Sequence, residues 1–224
     1  MTDFERVRTG LALLEERTPY VVAKAPDISL NLARGGDIDL LVGDVDKARN
    51  SLIDIFGPPL REIRTLYAIA FFFEWGEIDI MLGLHWRGVR LAKTGTVLAE
   101  RRVSTDNLFI ARPAHQIISA CLYPKLSYGF HKAEYEAVFD SAIENDYART
   151  CQILTAILGR RTAQEVLDRG GFTQVRTSKL RVAVLVRALR NPIRWSSILC
   201  FFGKRAIQKA AALNGVTRSQ VLGR

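Results

Sequence analysis

The stretch Arg34-Gly35-Gly36-Asp37-Ile38-Asp39-Leu40-Leu41-Val42 decides how this chain is read. It joins a glycine pair, two acids one residue apart and an apolar run. In a strand, successive side chains point to opposite faces, so Asp37 and Asp39 share one face while Ile38 and Leu40 turn to the core. Two carboxylates side by side repel each other unless a cation lies between them, which makes the pair a natural holder of a divalent metal. The plainer alternative is two solvent-facing acids on an edge strand.

A second stretch, Glu77-Ile78-Asp79-Ile80-Met81, repeats the alternation of acid and apolar residue. Neighbouring strands lie about 5 Å apart. Set beside the first strand, Asp79 completes an oxygen-only site of three carboxylates. Such a site suits Mg²⁺ or Mn²⁺, which take a few carboxylates and fill their remaining positions with water and substrate phosphates. Paired metals are the common arrangement for in-line attack on a phosphoryl group.

Working outward, apolar Phe4, Val7, Leu11 and Leu14 predict an amphipathic helix over 2–17. Tyr20–Ala23 reads as a strand and Ala25–Ala33 as a loop. Asp44 reads as the N-cap of a helix over Val45–Phe56 that stops at Gly57-Pro58-Pro59. Arg64–Glu74 and Glu77–Leu84, parted by Trp75-Gly76, read as an antiparallel hairpin. From Pro113 the texture is helical, with patterns over Ala114–Tyr123, Lys132–Glu144, Tyr147–Leu158, Thr162–Arg169 and about Ser178 to Leu213, this last interrupted at Pro192. The expected class is α/β (α+β): a small mixed sheet with helices on one side in residues 1–103, then a helical region over 104–224.

The 224 residues, 48% of them hydrophobic and 25% charged, are ordinary for a folded chain and exclude collagen-like and disordered classes. Cys121, Cys151 and Cys200 form no CxxC pair and read as reduced thiols. His115 and His131 stand in no HxH or HExxH spacing, which argues against zinc. Neither GxSxG, GxxxxGK[ST] nor GxGxxG occurs, so a serine hydrolase, a P-loop and a dinucleotide fold have no support. The N-terminus lacks the pattern of a secretory signal, and the uncharged stretch WSSILCFFG is too short to span a bilayer. A cytoplasmic location is expected.

The net charge of +9 is uneven. From Cys151 onward there are 14 Lys and Arg against 2 Asp and Glu, and the rest of the chain is slightly acidic. Lys179, Arg187, Arg190 and Arg194 fall on one helical face beside Val182, Val186, Leu189 and Ile193. Trp195, Phe201 and Phe202 follow, then Lys204, Arg205 and Lys209. Ordinary helical packing with a solvated basic face explains this first. A peripheral contact with the inner face of a membrane comes second, and nucleic acid third, since no RNA-binding aromatic motif accompanies it.

The stretches RGGDIDLLVGDVDKA and EIDIMLGLHWRG resemble the nucleotidyltransferase superfamily that includes DNA polymerase beta and the antibiotic nucleotidyltransferases. They look most like nucleotidyltransferase-like proteins of bacterial surface-polysaccharide gene clusters, over roughly Tyr20 to Tyr135. The resemblance implies that Asp37 and Asp39 are paired metal ligands and Asp79 the third, with a possible role as base for the acceptor. It implies two Mg²⁺ ions and a nucleoside triphosphate whose nucleotidyl group passes to a hydroxyl or phosphate acceptor, a sugar or lipid-linked glycan. The chain departs from the family where a Gly-Gly or Gly-Ser pair usually cradles the triphosphate: that place reads Lys24-Ala25-Pro26-Asp27, and Pro26 has no N–H to offer. Lys24 then stands in as a point charge for phosphate. Arg34, Gly35 and Gly36 beside the acids and Lys132 at a later helix start are further phosphate candidates, and His85 is an acceptor candidate. The departure leaves two rivals: a non-catalytic scaffold that keeps the fold, and a transferase acting on RNA or protein.

Overall fold

The computed structural model describes residues 2–24, 28–33, 35–130 and 135–190. Helix α1 (Asp3–Arg17) begins with a reciprocal cap in which the Glu5 N–H donates to the Thr2 hydroxyl and the Thr2 N–H donates to the Glu5 carboxylate. Strand β1 (Tyr20–Val22), short helix α2 (Ile28–Ala33) and strand β2 (Asp37–Val42) follow. Helix α3 (Val45–Phe56) is capped by Asp44, which accepts from the Lys47 N–H at 2.9 Å, and it ends at Gly57, whose φ is +86°. Strands β3 (Arg61–Arg64), β4 (Ala68–Phe73) and β5 (Gly76–Met81) form a meander. The hairpin β6 (Leu84–Trp86) and β7 (Val89–Ala92), helix α4 (Thr94–Ala99) and short strands β8 (Arg102–Val103) and β9 (Phe109–Ile110) lead to the helical region.

Two expectations change. Residues 28–33 are helical rather than loop, because burial of Ile28 and Leu32, one turn apart, outweighs the turn preference of Asn31. The first arm of the hairpin is β4 alone, antiparallel to β5 as expected, and Arg64, its expected first residue, ends a separate strand β3: the Thr65 hydroxyl accepts the N–H groups of Tyr67 and Ala68 and folds a tight turn between β3 and β4.

The sheet is mixed and seven-stranded, in the order β3-β4-β5-β2-β1-β9-β8, with β6 and β7 as a separate ribbon. Strands β2 and β5 run parallel, as do β1 and β9, while the remaining pairs are antiparallel. One face is apolar: Ile38, Leu40 and Val42 of β2, with Ile78 and Ile80 of β5, pack on Val7, Leu11 and Leu14 of α1 and on Ala48 and Leu52 of α3. Each such fully buried aliphatic side chain is worth about 2 kcal/mol. Gly10 lets α1 and α3 approach, since a Cβ there would stand 2.1 Å from the Phe56 ring. Gly10→Ala is therefore expected to destabilise the fold by about 2 kcal/mol, read as a lower midpoint in a denaturant titration with an unchanged slope.

The helical region covers part of the other face, where Val21, Ala23 and Leu41 join its core. Helix α5 (Pro113–Ile117) runs through a π turn (Ile118–Leu122) into α6 (Tyr123–Tyr128). The turn ends at Leu122, two residues before Pro124, which has no N–H for the carbonyl four residues back, and a widened turn is one way a helix passes such a residue. Helix α7 (Glu136–Leu158) is kinked at Asp146, with φ −152° and ψ 32°, where the sequence pattern breaks between two helical runs. Helices α8 (Arg160–Asp168) and α9 (Thr177–Leu189) complete the region, and Cys121 fills its core. Helix α9 buries Leu180, Val184 and Ala188 and leaves Val182, Val186 and Leu189 exposed. Its Lys179 pairs with Glu165. Arg194 and the aromatic and basic run from Trp195 to Lys209 lie outside the described residues. Among the described residues no helix is long and apolar enough to cross a membrane.

Candidate metal centre

The register of β2 against β5 sets Asp37 opposite Glu77 and Asp39 opposite Asp79. Strand β2 lies in the interior of the sheet, between β5 and β1, so the edge-strand reading of Asp37 and Asp39 does not hold. Because parallel neighbours in register present the same face, the alternation in each strand delivers Asp37, Asp39 and Asp79 to one place. One carboxylate oxygen from each lies within 4.8 Å of the others. Asp39 is almost wholly buried, and Asp37 and Asp79 are half-buried.

The acids are strongly coupled. Burial first, with Asp37 and Asp79 adding to it against the pull of Lys24, pushes the Asp39 carboxyl up to about 6. Burial, then Glu77 and Asp37, push Asp79 up to about 6 as well. Glu77 is raised by burial and by Asp37, and it shares a hydrogen bond with Asp79. Glu77 was not singled out from sequence, although the alternation Glu77-Ile78-Asp79 already placed it on the acidic face.

Lys24 lies among these acids. Its Nζ is 2.5 Å from Asp39 Oδ2 and 3.9 Å from Asp37 Oδ2. Burial disfavours its charge, but Asp39 and Asp37 outweigh that and hold its pKa above the ordinary lysine value. The backbone that carries it is fixed twice: the Ala23 N–H donates to the Asp39 carbonyl at 2.8 Å, and the Ser119 hydroxyl of the π turn donates to the Ala23 carbonyl at 2.6 Å. Tyr123, at the start of α6, is near enough to feel the Lys24 charge, which opposes the upward push of burial on its hydroxyl. The π turn thus anchors the backbone next to Lys24, which the sequence pattern did not reveal.

The remaining candidates are placed as follows. Gly35, at φ +69°, caps the end of α2 by donating its N–H to the Leu32 carbonyl, and a Cβ there would meet nothing within 4 Å. Gly36 is half-buried and leads into β2. Arg34, Lys132 and the segment Ala25-Pro26-Asp27 lie outside the described residues. Lys125, near Lys132 in sequence, donates to the Thr173 carbonyl at 3.3 Å and ties α6 to the turn after α8. His85 is paired across the ribbon with Arg90 and lines a cavity of about 500 Å³ with Arg90, Lys93, Thr94 and Thr96. Burial, then the Arg90 charge, lowers its pKa.

The donor set fits a hard divalent cation. All three groups are carboxylates, and Asp79 Oδ1 is buried with no hydrogen-bond partner among the described residues, a lone pair that a cation would satisfy. The chain matches no family model, no curated protein and no solved structure, so the chemistry of this site stands on its own residues.

Proposed function

We propose that the protein is a metal-dependent nucleotidyltransferase that moves a nucleotidyl group from a nucleoside triphosphate to a hydroxyl or phosphate acceptor. The observation that carries this reading is the meeting of Asp37, Asp39 and Asp79 from two parallel strands in register, with one oxygen of each within 4.8 Å of the others. Asp37, Asp39 and Asp79 would hold Mg²⁺ or Mn²⁺, which when bound polarises the reacting phosphate and neutralises its charge. The protein's own share is positional. Strands fix the carboxylates, the flanking acids concentrate negative charge, and Lys24 offers a cation to the phosphates. Asp79, half-buried beside the other two carboxylates, would be the residue to take the acceptor proton. The acceptor class, a sugar or lipid-linked glycan in bacterial surface-polysaccharide assembly on the cytoplasmic side of a membrane, rests on the sequence resemblance alone.

A second reading is favoured by the ion pair of Lys24 with Asp39: a non-catalytic relative in which the lysine serves as permanent counter-ion. Calorimetry with ATP, CTP, GTP and UTP, each with and without Mg²⁺, separates the two. Mg²⁺-dependent binding of one nucleotide, lost in Asp37→Asn/Asp39→Asn, is the expected result. Absence of binding to all four in the wild type would favour the scaffold.

A further inference from the structure

Lys24 is one side chain with two candidate anions. The sequence makes it a candidate phosphate contact at the place where the chain departs from the family pattern, while in the fold its ammonium stands 2.5 Å from Asp39 Oδ2 and 3.9 Å from Asp37 Oδ2. Both contacts use carboxylates that the metal reading needs. Asp39 has little freedom, being 7% exposed and on an interior strand, whereas the Lys24 side chain is 22% exposed. The backbone at Ala23 is pinned by Asp39 and Ser119, so any movement belongs to the flexible four-carbon stem of the lysine. A divalent ion sharing Asp39 with that ammonium is repelled by it, and the repulsion is strong in a site so withdrawn from water.

We propose, resting on the metal reading above, that Lys24 is a built-in competitor for the divalent ion. Its ammonium pairs with Asp39 and, at longer range, with Asp37 when no metal is bound, leaves them when a metal enters, and then pairs with the phosphate that arrives with the metal. Metal and nucleotide consequently bind cooperatively. The metal alone must displace an ammonium into water, and the nucleotide gives that ammonium a new partner. By linkage, each raises the affinity for the other by the same factor. The exchange keeps a cation against Asp39 and Asp37 in both states, and it answers the sequence departure at Lys24-Ala25-Pro26 by giving the lysine a defined part in loading.

The test is Mn²⁺ binding, followed by electron paramagnetic resonance of the free ion at about pH 8, where carboxylates are ionised. Wild type, Lys24→Met and Lys24→Arg are compared without nucleotide and with a non-hydrolysable triphosphate. Lys24→Met is expected to bind Mn²⁺ alone about tenfold tighter or more, to lose most of the nucleotide's help, and to gain more in melting temperature on adding Mn²⁺ than the wild type does. Lys24→Arg, which keeps the charge, should keep weak metal binding. Lys24→Gln serves the same comparison if the Met variant does not fold. Binding of Mn²⁺ by Lys24→Met but not by the nucleotide-free wild type supports the proposal equally. Unchanged or weaker Mn²⁺ binding in Lys24→Met, beside a wild type that binds, overturns it and leaves the metal reading standing. No Mn²⁺ binding by any form, with or without nucleotide, overturns both.

Discussion

Asp79→Asn is expected to abolish nucleotidyl transfer while raising the melting temperature of the chelator-treated protein. The two effects have one cause. Asp39 and Asp79 have carboxyl pKa values pushed up to about 6, against about 4 in an unfolded chain. Between those values the folded state binds more protons than the unfolded state. Stability of the metal-free protein therefore rises as the pH falls through about 6 and is lost again as the pH climbs above it. An asparagine in place of Asp79 is neutral at every pH and removes part of that cost, worth about 1 kcal/mol after allowance for partial exposure, or roughly 2–4 °C. With Mg²⁺ the sign reverses: the wild type gains stability by mass action and the variant does not. Turnover should fall about a thousandfold or more, about 4 kcal/mol of transition-state stabilisation. Melting curves at about pH 8 and about pH 5, with chelator and with Mg²⁺, check the linkage, and an assay with the nucleotide found by calorimetry checks the rate. A variant that melts lower in chelator and still turns over would remove Asp79 from the site.

The legible parts of this site are those set by short periods. Alternation in Asp37-Ile38-Asp39 and in Glu77-Ile78-Asp79 fixed which side chains share a face, and the cap at Asp44 and the stop at Gly57 bounded α3. The parallel pairing of β2 with β5 was not legible, because it follows from the long route through α3 and the β3–β4 turn rather than from either strand's own residues. The same limit hid the true position of Lys24. A lysine two residues past a strand carries no mark of what it faces, and only the pairing of β1 beside β2 sets it against Asp39. Residues Ile28 and Leu32 show the limit from another side, since a six-residue helix has too short a pattern to outweigh Asn31 until the sheet buries it.

Arg112→Met is expected to cost about 3–5 kcal/mol of stability, the second large effect. Asp146 is 4% exposed and accepts from Arg112 through both Nε, at 2.7 Å, and Nη2, with a weaker contact from the Ala114 N–H at 3.3 Å. The kink in α7 at Asp146 aims this carboxylate at the N-terminus of α5. Next to it, Glu100 accepts from Arg149, from His115 and, at 3.4 Å, from Arg112. Loss of Arg112 strands a buried carboxylate with one backbone donor, which is the costly case for an interior ion pair. Replacing both partners removes the stranded charge as well, so Arg112→Met/Asp146→Leu should recover a large part of the loss. A double-mutant cycle in urea, with the two single variants, measures the coupling. Additive single effects would show that the pair is not a unit. The network joins Glu100, at the end of α4, to helices α5 and α7, whereas the metal ligands stand on strands β2 and β5. The link between them runs along α5 to Ser119, which holds the Ala23 carbonyl beside Lys24. Folded Arg112→Met should accordingly keep its Mn²⁺ affinity within about twofold, a change of less than about 0.5 kcal/mol, while its melting temperature falls by roughly 10 °C. A large loss of metal affinity in that variant would instead mean that the helical region sets the geometry of the carboxylates themselves.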